Sequence, residues 1–195
     1  MPYYFNSTNL RLIPVEELSG MNFNIPNYQR GYRWTQEQVL DLLNDILEFT
    51  KKNPSEDEIY CIQPLVVKRI KQEDILEQVK HAKDINEIVN LIKGSWDVID
   101  GQQRLTTIHL LLTYLGLTSG HQFSINYETR NKEDKGSQHV LENISKLNEK
   151  QCSNNIDFYH FKQTYDTIKE WFENPHEKID KSNFSHILLN RVKFI

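Results

Sequence analysis

The sequence predicts an α+β chain, in which a small mixed sheet is surrounded by helices and followed by a helical C-terminal third. Three patterns predict it. Short β-rich runs recur at 59–62, 65–70, 96–99 and 122–127. Apolar residues spaced three and four apart mark helices after Thr35, after Gly101 and at 156–173. From residue 140 onward the helical period dominates, until a last apolar run, Val192-Lys193-Phe194-Ile195, reads as a strand.

In chain order, 10–14 reads as a short extended lead-in and 15–18 as a helical turn. Residues 25–34 run Ile-Pro-Asn-Tyr-Gln-Arg-Gly-Tyr-Arg-Trp, a dense mix of cations, amide and aromatics. Pro26 favours an extended start, Gly31 permits a sharp turn, and Thr35 with Gln38 forms a capping box, so this is a loop that leads into a helix. That helix buries Val39, Leu42, Leu43, Ile46 and Phe49 and stops before Asn53-Pro54, since proline cannot continue it. Pro64 separates the next two strands or marks an edge. Residues 74–93 carry Ile75, Leu76, Val79, Ile85, Ile88, Val89 and Ile92 in helical period, stopped by Gly94. The strand at 96–99 then runs into Asp100-Gly101-Gln102-Gln103-Arg104, after which Leu105, Ile108, Leu111, Leu112 and Leu115 lay one apolar face along a helix. A short helix is expected at 140–147. A longer one at 156–173 carries Phe158, Phe161, Tyr165, Ile168 and Phe172 and closes at Asn174-Pro175. The polar stretches 131–137 and 148–155 read as exposed loops too short to link domains, so 1–195 reads as one domain.

With 38% hydrophobic and 26% charged residues and no apolar run of bilayer length, the composition predicts a soluble cytoplasmic globule with no membrane partner. The opening Met1-Pro2-Tyr3-Tyr4-Phe5-Asn6 lacks the basic and apolar parts of a signal peptide. Cys61 and Cys152 make no disulfide framework, and Cys61, in an apolar strand, reads as a buried inert thiol. The histidines are scattered without metal-ligand spacing. A net charge of −4 argues against a broad basic surface, so any DNA contact has to be local; Arg30, Arg33, Arg104, Arg130 and Lys132 would supply it if the fold brings their segments together, which their spacing does not show.

The strand-to-helix junction at 100–104 is the plainest candidate site. Unpaired N–H groups and the positive end of the helix dipole attract an anion there, and Arg104 can add a forked, permanent charge. Asp100 is a favourable N-cap, and Gly101 allows close backbone approach. The plainer alternative is a capped helix with a solvated first turn, since the glycines and Lys of a Walker loop are missing. Gln102 and Gln103 nevertheless have no obvious packing reason to be adjacent. In the 25–34 loop, Tyr32 and Trp34 read as core anchors, whereas Gln29 and Arg30 resist that explanation.

The Ile-Pro-x-Tyr-Gln-Arg-x-Tyr-x-Trp pattern at 25–34 and Asp-Gly-Gln-Gln-Arg-Leu-Thr-Thr at 100–107 together resemble the N-terminal domain of GmrSD-type modification-dependent (type IV) restriction proteins. Pro64-Leu65-Val66-Val67, Tyr127-Glu128-Thr129-Arg130 and the closing Asn190-Arg191-Val192-Lys193-Phe194-Ile195 extend the resemblance over nearly the whole chain. It implies a fold similar to ParB and sulfiredoxin, in which 74–93 is an insertion between strands. It also implies binding and hydrolysis of a nucleoside triphosphate, coupled to recognition of modified phage DNA before an HNH-type nuclease cuts. No His-Asn-His arrangement occurs here, so the chain reads as the N-terminal piece of a longer protein and DNA cleavage is not expected of it.

Carried onto this sequence, the resemblance assigns nucleotide and phosphate binding to Tyr28, Gln29, Arg30, Gly101 and Arg104. Catalysis falls to Asp100, Gln102, Gln103 and Arg104, with one of the glutamines orienting water, and Arg33 and Arg130 serve as weaker DNA contacts. A carboxylate beside phosphates repels them unless a cation intervenes, so Asp100 reads either as a Mg²⁺ ligand or as a plain N-cap. Two other readings stand beside this one: a ParB-like nucleotide switch without hydrolysis, and a nucleotide-independent reader of modified DNA.

Overall fold

Alternation of buried and half-buried side chains defines the strand on which the main sheet is built, Asn22–Ile25. Phe23 and Ile25 enter the core while Asn22 and Asn24 turn away from it. The computed structural model describes residues 10–70, 79–80, 85, 94–117, 120–128, 136–153, 155–176 and 178–195. Its strands are β1 (Ile13–Pro14), β2 (Asn22–Ile25), β3 (Tyr60–Ile62), β4 (Val66–Arg69), β5 (Ser95–Asp100), β6 (Ser124–Tyr127) and β7 (Val192–Phe194). Its α-helices are α1 (Gln36–Lys51), α2 (Gln102–Tyr114), α3 (Ser137–Asn143), α4 (Glu149–Cys152), α5 (Ile156–Phe172) and α6 (Lys181–Asn190).

The expected α+β architecture is present, with the strands divided between two sheets. The larger has the order β4-β5-β2-β6, and the smaller β1-β7-β3. β2 is parallel to both β5 and β6, while β4 lies antiparallel on the β5 edge. In the smaller sheet the final strand β7 pairs antiparallel with β1 and parallel with β3. Three parallel strands, β2, β5 and β6, therefore end at the same edge of the larger sheet. That is where ligands collect in open sheets of this kind, because the connecting loops converge there.

One cluster of buried side chains runs from Val15 to Phe194 and joins both sheets to the helices. α1 packs on α5 and α6, and α2 packs on α5. α5 is opened by Asn155, whose side chain accepts from the N–H groups of Asp157 (2.9 Å) and Phe158 (3.3 Å). Among the described residues no helix is long and apolar enough to cross a membrane.

Several elements differ from the sequence reading. β2 carries two asparagines, which strands disfavour, yet parallel neighbours on both sides hold it in the sheet. α6 was hidden by its polar opening, Lys181-Ser182-Asn183. Asp180 organises that turn by accepting from the N–H groups of Ser182 (3.0 Å) and Asn183 (3.1 Å). The short α4 interrupts what reads as a loop at 148–155. Cys61 is exposed, not buried, because its side chain points outward from β3, whereas Cys152 is buried. The 74–93 stretch lies mostly outside the described residues; those of it that are described, 79–80 and 85, are helical. β4 and β5 are antiparallel neighbours whose register runs from Arg69↔Trp96 to Val66↔Asp100. The chain between Arg69 and Ser95 thus joins the end of that hairpin remote from Asp100.

Candidate phosphate site at the carboxyl edge of the sheet

The loops leaving the three parallel strands are tied together by side chains of the two polar motifs and by Glu128. After β2 comes the 26–35 loop, after β5 comes Gly101, and after β6 comes Glu128. Gln29 Nε2 donates to the Ile99 carbonyl (2.7 Å), just beyond the last β2–β5 pair, Asn24↔Asp97. Gln102 Nε2 donates to the Arg30 carbonyl (2.7 Å). Gln103 uses both ends of its amide, donating to the Gly31 carbonyl (3.1 Å) and accepting from the Arg33 N–H (2.7 Å). Glu128 accepts from the Asn27 N–H (3.0 Å) and from Asn24 Nδ2 (2.6 Å). The adjacent glutamines thus act as a clamp that presses the loop onto the first turn of α2. Both are buried, which corrects the picture of a solvated turn. Buried polar groups are costly unless bonded, so these contacts fix the loop's shape.

The cap of α2 also differs from expectation. Gly101 is the N-cap, in the left-handed region at φ 92°, and no side chain caps the helix. The Asp100 carboxylate instead accepts from the Gly101 N–H (2.8 Å) and remains exposed. The reason is a register slip between Val66 and Val67, which leaves Ile99 as an extra residue and ends the strand one residue later than a cap at Asp100 would require. A side chain at Gly101 is blocked twice, by its φ and by the Pro64 carbonyl, 2.9 Å from where a Cβ would stand.

Two arginines of the motifs are held differently. Arg33 turns inward, where its guanidinium pairs with the fully buried Asp157 carboxylate and donates to the Tyr32 carbonyl (2.5 Å). A methyl group on Gly31 would collide with the same carboxylate, so Gly31 is the residue that lets Asp157 lie under the loop. Arg104 is the one residue from Gly101 to Leu112 that is not buried. It donates to Gln63 Oε1 and lies over the Trp34 ring, 5.7 Å from its centroid. Arg30 and Tyr28 are exposed, Tyr28 at 72%.

Hydroxyls seal the floor. Tyr32 shares a hydrogen bond with Thr107 (2.8 Å) and accepts one from Thr164 (3.0 Å), linking loop, α2 and α5. Burial pushes the Tyr32 phenol up to about 12. Tyr60 donates to Asp45 (2.9 Å), and its phenol is pushed up by burial and then by Asp45, with Arg104 pulling the other way. Among the described residues no three His, Cys, Asp or Glu side chains converge as a metal site.

Over residues 15–195 the chain matches the family model described as the GmrSD restriction endonuclease, N-terminal domain. It belongs to that family. No curated protein matches it. Membership makes this GmrSD-type domain a component of a restriction system, and points to DNA as the system's target and to a nuclease partner or domain.

Of the expected site residues, the domain brings together Gln29, Arg30, Asp100, Gly101, Gln102, Gln103 and Arg104 at one sheet edge, with Tyr28 on its rim. Arg33 faces Asp157, and Arg130 lies outside the described residues. Three contributors gave no functional signal in the sequence. Asp157 looks like an ordinary acid in a helix's first turn, Gln63 like an exposed turn residue, and Glu128 stands in a matching stretch without an evident role.

Proposed function

We propose that this chain binds a nucleoside triphosphate between the 26–35 loop and the first turn of α2. It would act as the cytoplasmic sensor of a modification-dependent anti-phage system whose cutting is done by a separate HNH-type nuclease. The observation that supports this most is charge left uncompensated at a built site. Among the described residues Arg104 contacts only neutral groups, and the Arg30 side chain makes no hydrogen bond or ion pair. Both stand beside helix amides that have no acceptor within their own helix. Arg30, Arg104 and those amides would hold the phosphates and stabilise charge developing on the transferred group, so catalysis would be positioning and electrostatics. Tyr28 is available to stack on the base. Asp100, exposed and beside the helix start, fits Mg²⁺, which a single carboxylate can hold together with phosphates. The ion would screen phosphate charge there.

One observation favours the switch reading in which nucleotide is bound and barely turned over. Gln103 spends its whole side-chain amide on the loop and the Gln102 amide nitrogen is likewise engaged, which leaves only Gln102 Oε1, buried without a hydrogen-bond partner, to orient a water molecule. Titrating labelled ATP, GTP, CTP and UTP into the purified chain without DNA tests the proposal. Saturable binding supports it, while DNA binding with no nucleotide binding turns the domain into a plain DNA reader. Phosphate release then separates enzyme from switch, and Asp100→Asn should abolish any metal-dependent release. Modified and unmodified duplexes should remain uncut.

A further inference from the structure

We infer that Gln63 is a positioning residue of the phosphate site, aiming the Arg104 guanidinium without neutralising it. The inference rests on the nucleotide reading above. Gln63 opens the three-residue connection between β3 and β4, and that connection is fixed from both sides. The buried Ile62 anchors its start, and the Leu65 N–H donates to the Ile195 carbonyl (3.1 Å). Between them Pro64 rests on Gly101, its carbonyl 2.9 Å from where a Cβ would stand. The backbone therefore delivers Gln63 to the mouth of α2, and its Oε1 accepts from Arg104 Nη2 while Trp34 covers one face of the guanidinium.

The chemistry of this holder is informative. Asp45, the carboxylate bound to neighbouring Tyr60, is occupied by the Tyr60 hydroxyl (2.9 Å), and no described carboxylate forms an ion pair with Arg104. A Glu at position 63 would bind a guanidinium more strongly than an amide does, yet it would cancel the charge. An amide supplies direction alone. An arginine fixed by a neutral acceptor and an aromatic face is ordered before the ligand arrives and keeps its full charge for an anion.

The test uses the full chain with inorganic tripolyphosphate as the probe, titrated calorimetrically at two or more salt concentrations. Gln63→Met removes the acceptor at similar length, and Gln63→Glu keeps an acceptor but adds a negative charge. Gln63→Met should weaken binding about threefold with the salt dependence of the wild type. Gln63→Glu should weaken it on the order of tenfold or more, with a shallower salt dependence, because one positive charge has been cancelled. Gln63 is exposed, so both variants should melt within about 2 °C of the wild type. Equal weakening with equal salt dependence would reduce Gln63 to packing, and wild-type affinity in Gln63→Glu would remove its role altogether. Either result overturns the inference while leaving the phosphate site in place. A wild-type chain that binds neither tripolyphosphate nor any nucleoside triphosphate overturns the site and the inference together.

Discussion

Arg33 and Arg104 belong to the same constellation of loop and helix, and they are held in opposite ways. Arg33 meets a carboxylate with no solvent exposure, Asp157, which enters beneath a glycine and cancels its charge inside the fold. Arg104 meets an amide oxygen and an indole face, and its charge stays available at the one opening along the first eleven residues of α2. The difference separates construction from function within a single motif. A cation matched by a buried anion stabilises the loop, whereas a cation held by neutral groups is an anion receptor. A third ionisable group, His109 on α2, shows another outcome. Burial lowers its pKa to about 4, so it is neutral at physiological pH.

The largest effect that would sharpen this contrast is on stability at the inner arginine. Asp157→Ala leaves the half-buried Arg33 charge unpaired and a void under Gly31, and should cost roughly 3 kcal/mol, the low end for broken buried pairs because Arg33 is partly exposed. Urea midpoints measure it, and a loss under about 1 kcal/mol would mean the pair is ornamental.

His109 should give a comparable effect that depends on pH. In the unfolded chain it takes a proton near 6.5, in the fold only near 4. Between those values the unfolded state binds more protons, so the His109 contribution is intact above pH 6.5 and is lost as the pH falls toward 4. The gap amounts to about 3 kcal/mol. Relative to His109→Leu, the wild type should lose stability on acidification through this window; parallel decline of both proteins would contradict the assignment. Smaller again is Gly31→Ala, whose methyl meets the Asp157 carboxylate and should cost roughly 1 to 3 kcal/mol. Thermal melts of that variant check whether the close approach is real in solution.

Much of the frame was legible in the sequence. The helical periods of α1, α2 and α5, the closing strand β7 and the position of 100–104 at a strand-to-helix junction follow from spacing and punctuation. What stayed hidden depends on partners remote in sequence. The roles of Gln102 and Gln103 become visible only when the backbone of 30–33 lies against them, about 70 residues away along the chain. Asp100 resembles a cap because the bulge at Ile99, which moves the cap to Gly101, depends on β4 pairing. The split between Arg33 and Arg104 was invisible for the same reason, since it is set by Asp157 and Gln63 on other elements.

The most direct measurement of the central claim pairs nucleotide affinity with melting temperature in Arg104→Ala. Losing a bond to a charged phosphate should weaken triphosphate binding by roughly 1.5 to 3 kcal/mol, about one to two decades in Kd. Stability should change by less than about 1 kcal/mol, because Arg104 lies outside the buried core. A variant that melts early while its folded fraction binds nucleotide like the wild type would make Arg104 a structural residue like Arg33, and would contradict the account.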